Sequence, residues 1–191
     1  MSATPERIPP LARADIDSES LATLRAAFPR GSRFLDERPD APPMPPILGL
    51  LARHPSLAAG WLAHGGTLLD HGLLDARVRE LIVLATVRRA GAAYVWNEHV
   101  RIARSTGVTD EEIQRLERGS RDGWCELDAT LLGAVDELLD DYSIADATWK
   151  TLAEHFDEPS LLELLFVVGT NACLAMVLNS VGLAPTGDVH P

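Results

Sequence analysis

Glu80 and His99 are the residues of this 191-residue chain whose types and spacing best suit proton transfer. An imidazole changes charge near neutral pH, and a buried carboxyl facing one ring nitrogen orients the ring and leaves the other as acid or base. Nineteen positions separate the two, with Gly91 between them as a tight turn. Ala92, Val95, His99 and Ala103 recur at i, i+3, i+7 and i+11, so one imidazole sits on an otherwise small, apolar helix face, with Trp96 beside it. A lone Glu beside a lone His in a helical hairpin is more often a satisfied core pair than a catalytic dyad. Spacing leaves the helix phase, and hence the choice, open.

Other chemistries find less support. No helix offers the H-x-x-x-H or E-x-x-H spacing that puts two metal ligands on one face, and Glu98 and His99 point about 100° apart. Neither a metal nor a cofactor is expected. Nucleophilic catalysis lacks both G-x-S-x-G and a cysteine next to a histidine. The two cysteines, Cys125 and Cys173, form no C-x-x-C; Cys125 reads as a loop thiol and Cys173 as packing within an apolar helix. His64, with His54 and His71 near Gly65-Gly66, reads as a pocket rim or a solvated turn.

Composition narrows the function classes. Seventeen basic residues against 28 acidic ones give a formal charge of −11, the wrong sign for tracking phosphates, so no nucleic-acid partner is expected. Hydrophobic residues at 46% and charged ones at 24% fit a globular chain with a sizeable core. Met1 to Pro10 lacks the basic start and apolar run of a signal peptide, and with so few cysteines a cytoplasmic location is the expectation. The stretch from Leu164 to Leu183 carries no charge but contains Asn171, Asn179 and Ser180, and it reads as a core or subunit-interface helix rather than a membrane span.

The elements that must position the pair are all helices. Residues 1–46 form a proline-rich N-terminal extension, with one short helix within Ser18 to Ala27 and a Pro39–Pro46 cluster that cannot be helical. Further helices are expected over Ile47 to Arg53 and Ser56 to Leu69. An amphipathic helix opens at Asp75, with Val78, Leu81, Ile82, Ala85 and Val87 as its apolar side, and another runs from Ala92 to Thr106. Thr109 and Glu112 spell a capping box for a short helix through Leu116. Asp128 is expected to cap a helix through Asp140, and Asp146 one near Thr148 to His155. Asp157 and Pro159 start the last helix, which ends at Gly182 and Pro185. No alternating strand pattern competes, so the fold class is all-α, a single-domain helical bundle over 47–185 followed by a tail at 186–191.

The run A-Y-V-W-N-E-H-V-R-I-A-R-S-T-G-V-T-D-E-E-I resembles the signature of carboxymuconolactone decarboxylase-like proteins, in which Y-E-W-x-x-H precedes A-x-x-x-G. Tyr94, Trp96, His99, Ala103 and Gly107 match, while Val95 replaces the usual glutamate. Arg77, Arg79, Glu80 and Leu81 match the preceding R-x-R-E-L, and L-x-E-L-x-x-x-V-G with Asn179 and Gly182 matches the end of the domain. In the related alkylhydroperoxidase-D branch a glutamate, a C-x-x-C and a histidine form a relay around a redox disulfide. Carried onto this chain, the glutamate is Glu80, the histidine His99, and the thiols fall on Ala92 and Val95, which argues against peroxidase chemistry.

The resemblance implies the all-α fold of that superfamily, with Glu80 and His99 as a catalytic pair acting without a cofactor. It further implies a homo-oligomer (dimer, trimer or hexamer) acting on a small carboxylated lactone or organic acid. Trp96, Tyr94 and His64 are then expected to line an apolar pocket, and Arg77 or Arg79 to meet a substrate carboxylate. An accessory or binding protein that keeps the oligomer without the reaction is the alternative, favoured by Ala92 and Val95.

Overall fold

A computed structural model describes residues 6–185 apart from 37 and 39. The described residues are helical, with no strand among them. They group into two compact units, one of residues up to 71 with 181–185, the other of residues 72–180. The expected tail at 186–191 lies outside the described residues.

In the first unit, α1 (Ser18–Ala27), α2 (Pro46–Leu51) and α3 (Pro55–Asp70) surround Ile16, Leu21, Leu24, Leu35, Leu48, Ala52 and Ala58. Asp17 caps α1 by accepting from the Ser20 amide at 2.8 Å. The proline-rich extension is ordered because it lies on α2. The Leu11 amide donates to the Gly49 carbonyl at 3.0 Å, and the Arg53 Nε–H donates to the Pro9 carbonyl at 2.7 Å. A Cβ at Gly49 would stand 2.3 Å from the Leu11 carbonyl oxygen, so the arm can pass there only over a glycine. The extension thus shares a core with the helices that follow its prolines.

The second unit is built around α4 (Ala76–Arg89), capped by Asp75. Every residue from Glu80 to Val87 is buried, so α4 is enclosed on all sides rather than presenting the single apolar face expected from its spacing. Two polar side chains interrupt that run, and each is accommodated locally. The Thr86 hydroxyl donates to the Ile82 carbonyl one turn back at 2.8 Å, and Glu80 meets α5 (Ala93–Ser105). Gly91, at φ +63°, makes the turn between α4 and α5.

The capping box of α6 (Asp110–Arg118) forms as expected, and α7 (Glu126–Asp140), α8 (Asp146–Ala153) and α9 (Glu158–Val181) complete the unit. Two expected caps are corrected. Cys125 and Ala145 occupy the cap positions of α7 and α8, while Asp146 is the first residue of its helix. Asp128 stands within the first turn of α7, past the cap position, and is buried. The Arg77 guanidinium joins it at 2.8 Å and Glu112 at 2.5 Å, tying α4, α6 and α7 together. Cys173 is corrected too, since it lies exposed on α9 rather than packed.

Bonding to Asp128, outweighing burial, holds the Arg77 guanidinium well above its ordinary pKa. Burial raises the Glu112 carboxyl, but bonds from Thr109 and Arg77 outweigh it and set the group below its ordinary value of 4.5. A depressed folded pKa means the contribution is full above that value and disappears as pH falls through the folded pKa. Two outcomes follow. Asp128→Ala, which strips a buried carboxylate from Arg77, should lower the urea unfolding free energy by about 3 kcal/mol. Between neutral pH and about pH 3, the acid-induced loss of stability should be smaller in Glu112→Gln than in wild type.

Candidate active site

The α4–α5 hairpin brings Glu80 and His99 together. Glu80 Oε2 lies 2.7 Å from His99 Nδ1, with Glu80 wholly buried and the His99 side chain 22% exposed. With the carboxyl as acceptor, Nδ1 carries the hydrogen, which leaves Nε2 as the second ring nitrogen available for proton transfer. Helix phase, which spacing left open, is thereby fixed. Ala92, Val95 and Ala103, which share a helix face with His99 by spacing, are all buried.

A second residue expected to meet a substrate carboxylate, Arg79, lies beside the Glu80 carboxyl. Arg79 Nε is 3.7 Å from Glu80 Oε1, and neither atom has a hydrogen-bond partner among the described residues. Arg79 itself is largely buried, its side chain 15% exposed. Two polar atoms with unmet capacity therefore flank the pair, and buried groups of this kind ordinarily find a ligand or water partner. The signal in the sequence was only adjacency, which on a helix ordinarily sends two side chains apart.

The remaining candidates scatter. Arg77 is engaged by Asp128 and Glu112. Tyr94 is buried, on the inward side of α5. Trp96 lines an open groove of about 310 Å³ between α5 and α6, together with Asn97, Val100, Ile113 and Gln114. Arg104 and Asp110, joined at 2.7 Å, close one part of that groove. His64 belongs to the first unit, on α3, where its ring stands 6.4 Å from that of Trp61. Among the described residues no cluster of three or more His, Cys, Asp or Glu forms a metal site.

Two residues hold the hairpin in place from α9. The Asn179 amide donates to the Ala90 carbonyl at the α4–α5 turn, at 2.8 Å. Glu163, buried, accepts from the Leu73 and Leu74 amides just before α4 begins. Both ends of α4 are thus fixed by the last helix.

Residues 55–136 match the model of the carboxymuconolactone decarboxylase family. A protein of unknown function from Agrobacterium tumefaciens, provisionally assigned to antioxidant defence as AhpD, superposes with a TM-score of 0.64 at 21% identity, over 71% of this chain and 94% of its own. The debrominase Bmp8, as a cysteine-to-alanine variant in complex with 2,3,4-tribromopyrrole, superposes with a TM-score of 0.69 at 14% identity, over 94% of this chain and 91% of its own. At such identities the likeness is one of fold. No curated protein sequence matches the chain.

The hydrogen bond fixes an observable state of the ring. In a long-range ¹H–¹⁵N spectrum, neutral His99 should appear as the Nδ1–H tautomer, and Glu80→Gln should shift the population toward Nε2–H. An unchanged tautomer ratio would show that Oε2 does not govern the ring.

Proposed function

We propose that this chain, whose residues 55–136 match the carboxymuconolactone decarboxylase family model, is a cofactor-independent enzyme of the decarboxylase kind, acting on a small carboxylated lactone or related organic acid. The observation that carries the reading is the 2.7 Å contact between a fully buried carboxyl and a partly exposed imidazole. In the reaction the bond to the carboxylate carbon breaks, CO₂ leaves, and the electron pair stays on the substrate carbon. His99 Nε2 delivers a proton to that carbon and regains one from solvent. Glu80 is the positioning residue, stabilising the doubly protonated ring while it waits.

The other site residues take supporting parts. With Arg77 engaged by two carboxylates, the role of meeting a substrate carboxylate passes to Arg79, whose Nε–H has no hydrogen-bond partner among the described residues. Trp96 offers apolar surface at the groove beside α5, and Tyr94, buried on the same helix, remains a candidate for substrate contact. Thiol chemistry at this place lacks its nucleophiles, because Ala92 and Val95 occupy the positions that the resemblance gives to the redox pair. Those same buried apolar residues favour the second reading, a binding protein that holds the acid without turning it over.

A carboxylated butenolide such as carboxymuconolactone is the probe. Wild type should release CO₂ from it and incorporate solvent deuterium at the former carboxyl-bearing carbon. His99→Gln should lower kcat by about 10²-fold or more, and Glu80→Gln should lower kcat with little change in KM. A ligand-induced rise in Tm without turnover would select the binding reading instead. Turnover undiminished by His99→Gln would remove the pair from the chemistry altogether.

A further inference from the structure

The groove between α5 and α6 is lined by neither Glu80 nor His99. Val100 and Ile113, 2% and 6% exposed, give it an apolar lining, and the half-buried indole of Trp96 adds a flat face. Each helix also brings one carboxamide, Asn97 from α5 and Gln114 from α6. Neither carboxamide, nor the Trp96 indole N–H, hydrogen-bonds to any described residue. A single such group on an open surface is satisfied by water. Two of them, converging from different helices on a concave apolar lining, form the pattern of a ligand site.

The charges of the groove decide against an anion. Arg104 and Asp110 hold each other at 2.7 Å, so the one cation in the lining is already engaged. Glu117, the remaining charged residue there, has a carboxylate without a partner among the described residues. Arg88 is turned to the Glu117 carbonyl and does not line the groove. A phosphate or carboxylate would thus meet an unpaired negative charge, in a chain whose formal charge is −11. The groups left to recognise a ligand are neutral donors and acceptors, with one carboxylate that accepts N–H.

Those groups have a definite complement. A carboxamide carries C=O and N–H along one edge and pairs with an edge that offers a donor beside an acceptor, as when Asn or Gln reads a base. An indole face stacks on a flat ring. A volume of about 310 Å³ stands at the small end of ligand sites, which suits one ring system rather than a run of peptide. We propose that the α5–α6 groove binds an uncharged, planar nitrogen heterocycle with a lactam edge, of the kind found in pyrimidine and purine bases. The ring stacks on Trp96, Asn97 and Gln114 read its edge, and Glu117 accepts a ring N–H. Trp96 is the one residue shared with the substrate reading, and the reaction assigned to Glu80 and His99 stands or falls separately.

Uracil and hypoxanthine are the probes, titrated into the full chain and followed by saturation-transfer NMR. Both should bind with a Kd of about 1 mM or tighter. Asn97→Ala and Gln114→Ala should each weaken binding about tenfold, with helical circular dichroism unchanged. 1,3-Dimethyluracil, which keeps the flat ring and loses both N–H groups, should bind about tenfold more weakly than uracil. Gln114→Ala should leave CO₂ release from the lactone probe as in wild type. Failure of both probes to bind overturns the proposal, as does binding indifferent to the two alanine substitutions or to N-methylation. Uridine monophosphate binding more tightly than uridine overturns the exclusion of charge. Uracil binding lost in His99→Gln but kept in Gln114→Ala moves the ligand to the Glu80–His99 pair, and displacement of uracil by a short uncharged peptide amide assigns the groove to peptide instead.

Discussion

The carboxyl of Glu80, placed without solvent at the centre of an enclosed helix, is the constraint to which the second unit is built. Burying such a group costs several kcal/mol unless it is met by partners, so the fold has to deliver a ring nitrogen to one of its oxygens. That requirement sets the length of the α4–α5 turn, the rotation of α5, and the small size of Ala92, Val95 and Ala103. The site and the core are therefore one packing problem, and the residues that solve it are the same.

Two carboxylate systems divide the labour. Around Arg77, two acids meet one base across three helices, and every strong charge there has its counterpart; such a cluster fixes register. Around Glu80, one oxygen is met and the other lies near an arginine that leaves it without a hydrogen bond. Structural clusters end satisfied, whereas places that handle substrates keep capacity in reserve. The contrast between these neighbours, three residues apart on α4, is the clearest physical distinction between scaffold and site in the molecule.

What the sequence disclosed was whatever is local. The periodic apolar residues of α5, the Thr109–Glu112 box and the Gly91 turn are readable because each is decided within a few positions. Asp128 looked like a cap for the same reason, an acid ahead of an apolar helix; its true partner is Arg77, 51 residues earlier, and no local rule reports that. Likewise α4 shows the spacing of a one-sided helix because Glu80 and Thr86 interrupt its hydrophobic run, and only their specific partners allow those faces to be buried. Cys173 and its neighbours on α9 read as core because apolar character does not say which side is covered. The family signature supplied the pairing of Glu80 with His99 that spacing withheld, and the lowest-lying chemistry, which substrate meets the pair, is written in groove shape rather than in motif.

The grip of α9 on both ends of α4 has a consequence for synthesis. The hairpin that carries the pair is complete in sequence once Ser105 is made, yet the Leu73 and Leu74 amides and the Ala90 carbonyl receive their partners only when Glu163 and Asn179 emerge. Until then those groups are hydrated and the hairpin is free to splay. A product truncated before residue 163 therefore retains the Arg77-to-Gly107 part of the signature while lacking both of the contacts that brace it.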